Sequence, residues 1–246
     1  MRDKMVFIAG YPVQEMSKDA LSSHIIKHFK TSQKCVLLFA NTNFIVKCRA
    51  LKERMFHDDI VIVNDGLGLD IARVLLHKRA FKYNLNGTDF MPYFFKRYQN
   101  TSKLRVFLLG GQPEVLNKAA YYLVHTLGHE VVGSCDGYDG IKNATDLVAT
   151  INQTTAEIVL VAMGNAEQEA WILAHYQQIN AQFFAGVGGL FDFWGGAKPR
   201  APLWIQRIRM EWFYRLCLEP KRLYKRYTID IIKFLMMCIQ YRKQGV

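Results

Sequence analysis

Short apolar runs alternate with longer amphipathic stretches along most of this chain. Val36–Ala40, Ile60–Val63, Val106–Leu109, Ile158–Ala162 and Phe183–Val187 are continuous apolar runs of four or five residues. Runs that short, apolar on both faces, predict strands buried in a parallel sheet. Met5–Ala9 reads as a first strand. The stretches between have helical spacing. Ser17 caps a predicted helix reaching Phe29, and Asn43 to Phe56 carries apolar residues near a helical period. Thr88 caps a segment to Tyr98, with Pro92 near its start where proline is tolerated. Pro113 opens a helix to about Leu127. Asn143–Gln153 and Ala166–Gln178 complete the series. Strand–helix alternation of this kind predicts an α/β class, with a mostly parallel, Rossmann-like sheet flanked by helices.

The pattern changes near the end. From Arg200 onward no strand signal occurs. Arg200–Cys217 and Lys221–Tyr241 read as two helices separated at Glu219–Pro220. The second gathers Leu223, Tyr224, Tyr227, Ile231, Phe234, Leu235 and Cys238 near one face, with Lys221, Lys225 and Lys233 beside it. A membrane interface selects such a helix. Packing on the body, or on a sister subunit in a homo-oligomer, would select it equally. Residues 1–196 are therefore expected to form an α/β domain, and 197–246 a basic helical C-terminal appendage.

Charge sharpens this division. The 246 residues carry 32 Lys and Arg against 21 Asp and Glu, a net +11. Between Ala197 and Val246 twelve basic and three acidic residues account for +9 of it. A basic tail on a near-neutral body implies an anionic surface or ligand for the tail. Half the residues are apolar and 13% aromatic, which excludes a disordered chain. No apolar run reaches the ~18 residues of a spanning helix, and no secretory signal is visible at the start. The five cysteines are scattered without Cys-x-x-Cys or zinc spacing, so reduced, mostly buried thiols are expected.

Ligands in open parallel sheets bind at the carboxyl ends of strands. Four successive predicted strand ends carry glycine: Asn64-Asp65-Gly66, Gly110-Gly111-Gln112-Pro113, Met163-Gly164-Asn165 and Gly188-Gly189-Leu190. Glycine there allows close backbone approach, and a helix start offers free N–H groups to a phosphate. The dinucleotide fingerprint, the P-loop and the Gly-x-Ser-x-Gly elbow are all absent. A soluble nucleotide-sugar dehydrogenase or epimerase loses ground, and so does a nucleic-acid-binding protein, for which no motif is present. Asp65 is the carboxylate best placed to be a general base, because a partly buried strand-end carboxylate gains a raised pKa. Its competing role is to cap a helix from about Gly68. Asp89 reads as a first-turn helix residue. Asp192 either orients backbone or meets substrate.

Taken in order, Val63-Asn64-Asp65-Gly66, Asn86-Gly87-Thr88-Asp89, Leu109-Gly110-Gly111, Ala162-Met163-Gly164-Asn165-Ala166-Glu167-Gln168-Glu169, Gly188-Gly189-Leu190-Phe191-Asp192, Arg200-Ala201-Pro202, Glu211-Trp212-Phe213-Tyr214-Arg215 and Glu219-Pro220-Lys221-Arg222 resemble the WecG/TagA/CpsF glycosyltransferases. Asn41-Thr42-Asn43 is similar to the first active-site loop of that family. The resemblance implies inverting, cofactor-free and metal-independent transfer of a hexose from a UDP-sugar to a sugar on undecaprenyl diphosphate. It also implies a bacterial enzyme, peripheral on the cytoplasmic face of the inner membrane, with its appendage docked on an anionic membrane surface. It assigns Asp65 and Asn43 to catalysis. To substrate it assigns Asn41, Asn64, Gly87, Thr88, Asp89, Gly110, Gly111, Gly164, Gln168, Glu169, Asp192, Arg200, Arg215 and Arg222. The arginines would meet a diphosphate bidentately, or else lipid headgroups. Two positions depart from the family pattern. Asn84 stands where arginine is common, so that contact is absent or supplied by Lys82 or Arg79. Asn41 stands where threonine is frequent. The Asn84-Leu85-Asn86-Gly87-Thr88-Asp89 variant looks more like the exopolysaccharide branch, so UDP-glucose is the expected donor. The alternative is UDP-N-acetylmannosamine or its uronic acid, used in teichoic acid or common-antigen synthesis.

Overall fold

The computed structural model describes residues 4–99, 101–143, 146–207 and 210–243. Five predicted strands form where the apolar runs stand: β3 (Cys35–Ala40), β4 (Ile60–Asn64), β5 (Arg105–Gly110), β7 (Ile158–Ala162) and β8 (Phe183–Gly186). Strand β1 (Lys4–Ile8) also forms. Two more strands carry no clear apolar run. They are β2 (Tyr11–Glu15), which turns back antiparallel on β1, and β6 (Glu130–Cys135), a half-exposed edge strand. The eight lie in the order β1-β2-β4-β3-β8-β7-β5-β6, parallel except for the first pair. The class is α/β, as expected.

Helices cover both faces. On the body these are α1 (Lys18–Thr31), α2 (Thr42–Lys47), α3 (Leu67–His77), α4 (Gly87–Tyr98), α5 (Pro113–His125), α6 (Asp139–Asn143), α7 (Leu147–Gln153), α8 (Glu167–His175) and α9 (Leu190–Trp194). Ser17 caps α1 as predicted, its hydroxyl accepting the Ala20 N–H. Other boundaries differ. Asn86, not Thr88, caps α4: its Oδ1 accepts the Asp89 N–H at 2.8 Å and its amide donates back to the Asp89 carboxylate at 2.7 Å. The first bond satisfies one free N–H of the helix end, and the second, between side chains, holds the cap in place. The predicted Asn43–Phe56 helix starts one residue earlier and tightens to a 3₁₀ turn over Arg49–Met55. The predicted Asn143–Gln153 helix is α7, with Asp146 as its cap and Asn143 ending the separate α6.

The appendage comprises α10 (Leu203–Arg207), α11 (Glu211–Leu218), α12 (Pro220–Tyr227) and α13 (Ile229–Lys243). The sequence pattern suggests two long helices. The chain instead forms two shorter pairs, the second broken at Thr228, and residues 208 and 209 of the first predicted helix lie outside the described residues. Helix α13 packs across α2 and α3. Its Phe234 and Cys238 are fully buried in the same core as strand residues Leu38 and Ile62. Full burial of one such apolar side chain contributes about 1.5–3 kcal/mol, so the appendage is anchored on the body. On the same side, Arg73 of α3 forms a buried bidentate pair with Glu15 of β2 at 2.6 and 3.1 Å and stacks on Phe81. The Arg73 guanidinium holds the Glu15 carboxyl below its usual range. These contacts tie the antiparallel hairpin to the parallel sheet.

Candidate active site

Strands β3 and β8 lie side by side where the strand order changes direction, which in open α/β sheets is where a crevice opens. Asp65 follows β4 at that end. Its backbone N–H donates to Ala40 at 2.7 Å, which holds the loop against the end of β3. Gly66 then turns with φ +90° and donates its N–H to Asn84 Oδ1 at 2.8 Å. Gly66 is the N-cap of α3 and no side chain caps that helix. The Asp65 carboxylate is therefore not the helix cap and remains available. It accepts from Asn41 Nδ2 at 3.2 Å. Burial pushes its carboxyl above the usual range, against the smaller opposing pull of that hydrogen bond and of Arg226 and Arg215.

Asp65 borders two cavities. The larger, about 560 Å³, runs past Asn43, Gly164, Gln168 and Gly188, and the appendage covers it with Lys198, Arg215, Lys225, Arg226 and Lys233. With Lys47, six basic side chains face three acidic ones there. The smaller, about 280 Å³, lies between Asn84, Asn86 and Asp89 on the body and Glu211, Trp212, Tyr227 and Ile231 on the appendage. Its charged lining is two basic against three acidic groups. Asn41, Asp65, Thr88, Arg215 and Arg226 border both. A cationic chamber thus meets a more apolar one at a carboxylate with a raised pKa. A chamber of excess cations suits a diphosphate.

Behind the larger cavity lies a hydrogen-bonded floor. Gln168 Oε1 accepts the N–H groups of Gly164 at 3.2 Å and Gly188 at 3.0 Å, joining the loops after β7 and β8. Gln168 Nε2 and Asn165 Nδ2 both donate to Glu169 Oε1, at 2.7 and 2.8 Å. Asn43 Nδ2 donates to Asn165 Oδ1 at 3.0 Å. Glu169 is buried, and burial pushes its carboxyl up.

The description Glycosyl transferase WecG/TagA/CpsF family matches residues 6–245. The chain belongs to this family of glycosyltransferases. Among its relatives are the N-acetylglucosaminyldiphosphoundecaprenol N-acetyl-beta-D-mannosaminyltransferases of Staphylococcus aureus strains NCTC 8325 and MRSA252. Each is 31% identical over 173 residues, 70% of this chain and 67% of the relative.

Of the residues that the WecG/TagA/CpsF resemblance assigns, Asn41, Asn43, Asp65, Gly87, Thr88, Asp89, Gly164, Gln168, Asp192 and Arg215 border one or both cavities. Five others border neither. Asn64 is fully buried beneath the loop, and Glu169 lies under Gln168. Gly110 has φ +110°, and a Cβ there would sit 2.4 Å from the Ala162 carbonyl, so it permits the close approach of β5 to β7. Gly111 bonds Ala162 and Gly137 through its backbone. Arg200 is engaged within the protein. Its Nη2 donates to Asp89 at 2.9 Å and to Gln206 at 2.8 Å, and its Nε lies 3.4 Å from Glu211. It fastens the appendage to the start of α4. The Arg222 side chain lies outside the described residues. Arg79 and Lys82 do not replace the family arginine at Asn84 in either cavity: Arg79 lies 3.8 Å from Glu15, and Lys82 stacks on Tyr83.

Sequence reasoning did not single out Trp212, Tyr227, Lys225, Arg226, Asp230 or Lys233 as cavity residues. Trp212 stood inside a family-like motif without a role of its own, and the signal of the others was membership of an amphipathic basic tail. As for metals, among the described residues His24, His28 and Cys35 form one group with ligand atoms within 4.8 Å. That group sits on α1 and at the start of β3, the opposite end of that strand from Asn41, and borders neither cavity.

Proposed function

We propose that this glycosyltransferase moves N-acetylmannosamine from UDP-N-acetylmannosamine to N-acetylglucosamine carried on undecaprenyl diphosphate, with inversion at the anomeric carbon. The observation carrying the reading is Asp65 at the junction of a cationic and a more apolar cavity. The donor occupies the larger cavity and the acceptor sugar the smaller. Asp65 takes the proton from the acceptor hydroxyl as that oxygen bonds to the anomeric carbon. The bond from that carbon to UDP breaks, and its electron pair leaves on the diphosphate. Arg215 and Arg226 offset the charge that develops there. A single base suffices for inversion, and Asn41 orients it. The relatives favour N-acetylmannosamine over the glucose that the loop sequence suggested.

Membrane association is part of the same reading. Among the described residues no helix is long and apolar enough to cross a membrane. Helix α13 buries one face on the body, while Ile229, Ile232, Met236 and Ile239 form a second, exposed apolar stripe. Arg242 and Lys243 follow in its last turn. A basic helix with an open apolar stripe suits an anionic membrane surface. On this reading residues 197–246 dock on the cytoplasmic face and bring the smaller cavity to its lipid-linked acceptor. The test is transfer from a panel of UDP-sugars to a lipid-linked N-acetylglucosamine diphosphate. Preference for UDP-N-acetylmannosamine is expected, and preference for UDP-glucose overturns the donor assignment.

A further inference from the structure

Asp230 is the second residue of α13 and is only 7% exposed. It lines the larger cavity, among lysines and arginines. No described residue donates a hydrogen bond to its carboxylate or lies within ion-pairing distance of it. Its oxygens are not sealed in the core but open onto the cavity, and no described side chain is bonded to them although Lys225, Arg226 and Lys233 are close in sequence on the same two helices. A carboxylate only accepts hydrogen bonds. The missing partner must therefore bring donors, and a diphosphate brings none. The hydroxyl groups of a sugar do.

We infer that Asp230 is a donor-binding residue whose carboxylate accepts hydrogen bonds from hydroxyl groups of the nucleotide-sugar, on its ribose or its hexose. This rests on the reading of the larger cavity as the donor site and adds a recognition element to it. The cations then hold the diphosphate, and Asp230 distinguishes a glycosylated or ribosylated diphosphate from a bare one. Two plainer roles compete. Asp230 could serve only as the first-turn acid that a helix N-terminus favours, or only offset the surrounding positive charge.

The competing roles differ in sign. The full-length protein and its Asp230→Asn and Asp230→Ala variants are titrated calorimetrically with UDP-N-acetylmannosamine, UDP and inorganic pyrophosphate. Hydroxyl recognition predicts that both variants bind the UDP-sugar on the order of ten- to a hundredfold more weakly, the effect of losing a hydrogen bond to a charged group. Pyrophosphate binding is unchanged or tighter. UDP weakens in parallel if the ribose is the partner and is spared if the hexose is, and either result supports the inference. Unchanged or tighter binding of the UDP-sugar overturns it in favour of charge balance. Equal weakening of all three, pyrophosphate included, overturns it in favour of a helix-stabilising role. A Lys225→Ala/Lys233→Ala variant separates this inference from the site reading beneath it. If that variant weakens UDP-sugar binding while Asp230→Asn does not, only the Asp230 assignment fails. If it leaves binding unchanged, the donor-site assignment fails, and the Asp230 inference with it.

Discussion

Replacing Asp65 by Asn tests the proposed chemistry with the smallest change of shape. The amide oxygen can still accept from Asn41 Nδ2, now 3.2 Å from the carboxylate, and the Asp65 backbone bond to Ala40 is untouched. What disappears is the base. General-base catalysis contributes about 10²–10⁴ in rate, so kcat is expected to fall by roughly a thousandfold, or about 4 kcal/mol at ~1.4 kcal/mol per decade. Binding of UDP should stay nearly constant. Stability gives an independent reading. Burial raises the Asp65 carboxyl above its usual range, so the folded state holds that proton more tightly than the unfolded chain. Stability is then lost as pH rises from the ordinary carboxylate pKa through the raised one. At neutral pH the ionised Asp65 opposes folding, and Asp65→Asn should leave Tm unchanged or higher. The assay pairs initial transfer rates with calorimetric UDP binding and a thermal melt. A variant retaining more than about a tenth of wild-type kcat would refute the base assignment. A marked fall in Tm would show that the carboxylate supports the fold instead.

Three further expectations follow from the same geometry. The acid limb of the kcat/KM profile should lie above the usual carboxylate range, because Asp65 must be ionised to act. Asn41→Ala, which removes the hydrogen bond favouring the ionised form, should move that limb to higher pH; an unmoved limb contradicts the pairing. Gly110→Ala forces a Cβ to within 2.4 Å of the Ala162 carbonyl at φ +110°. A loss of about 2–4 kcal/mol is expected from strain and overpacking, read as a Tm lowered by roughly 5–15 °C; a neutral result shows that β5 and β7 can separate there without cost. Ile232→Asp/Met236→Asp changes side chains that are 59% and 50% exposed. It should leave Tm within a degree or two but weaken binding to anionic vesicles by roughly tenfold or more. Unchanged sedimentation with vesicles would refute docking through α13.

The body of the fold was legible because its strands are buried on both faces and read as unbroken apolar runs. What the pattern missed has local causes. In β2, Gly10 and Pro12 resemble a strand terminator. Pro12, second in the strand, is tolerated because the ladder to β4 begins only at Val13. β6 sits at an edge, half exposed, so Gly133 and Ser134 interrupt its apolar pattern without cost to the core. The tail helices break near Met210 and at Thr228, where helical spacing of apolar residues continues and gives no warning. The place of Asp65 at the cavity edge was legible because strand-end geometry is local. Gly110 was placed with the ligand by the same rule, but its glycine permits the close approach of β5 to β7. Asp230 and Trp212 could not be found that way, since they reach the site only after α11–α13 fold back over the sheet.

The central claim is one-base inversion at Asp65, and the stereochemistry of the product tests it most directly. With α-linked UDP-N-acetylmannosamine and lipid-linked N-acetylglucosamine diphosphate, the one-bond carbon–proton coupling at the new anomeric centre reports its configuration by NMR. The account predicts a β-linked product formed by wild-type protein and lost in Asp65→Asn. An α-linked product, or a β-linked one made at undiminished rate without the Asp65 carboxylate, would contradict it.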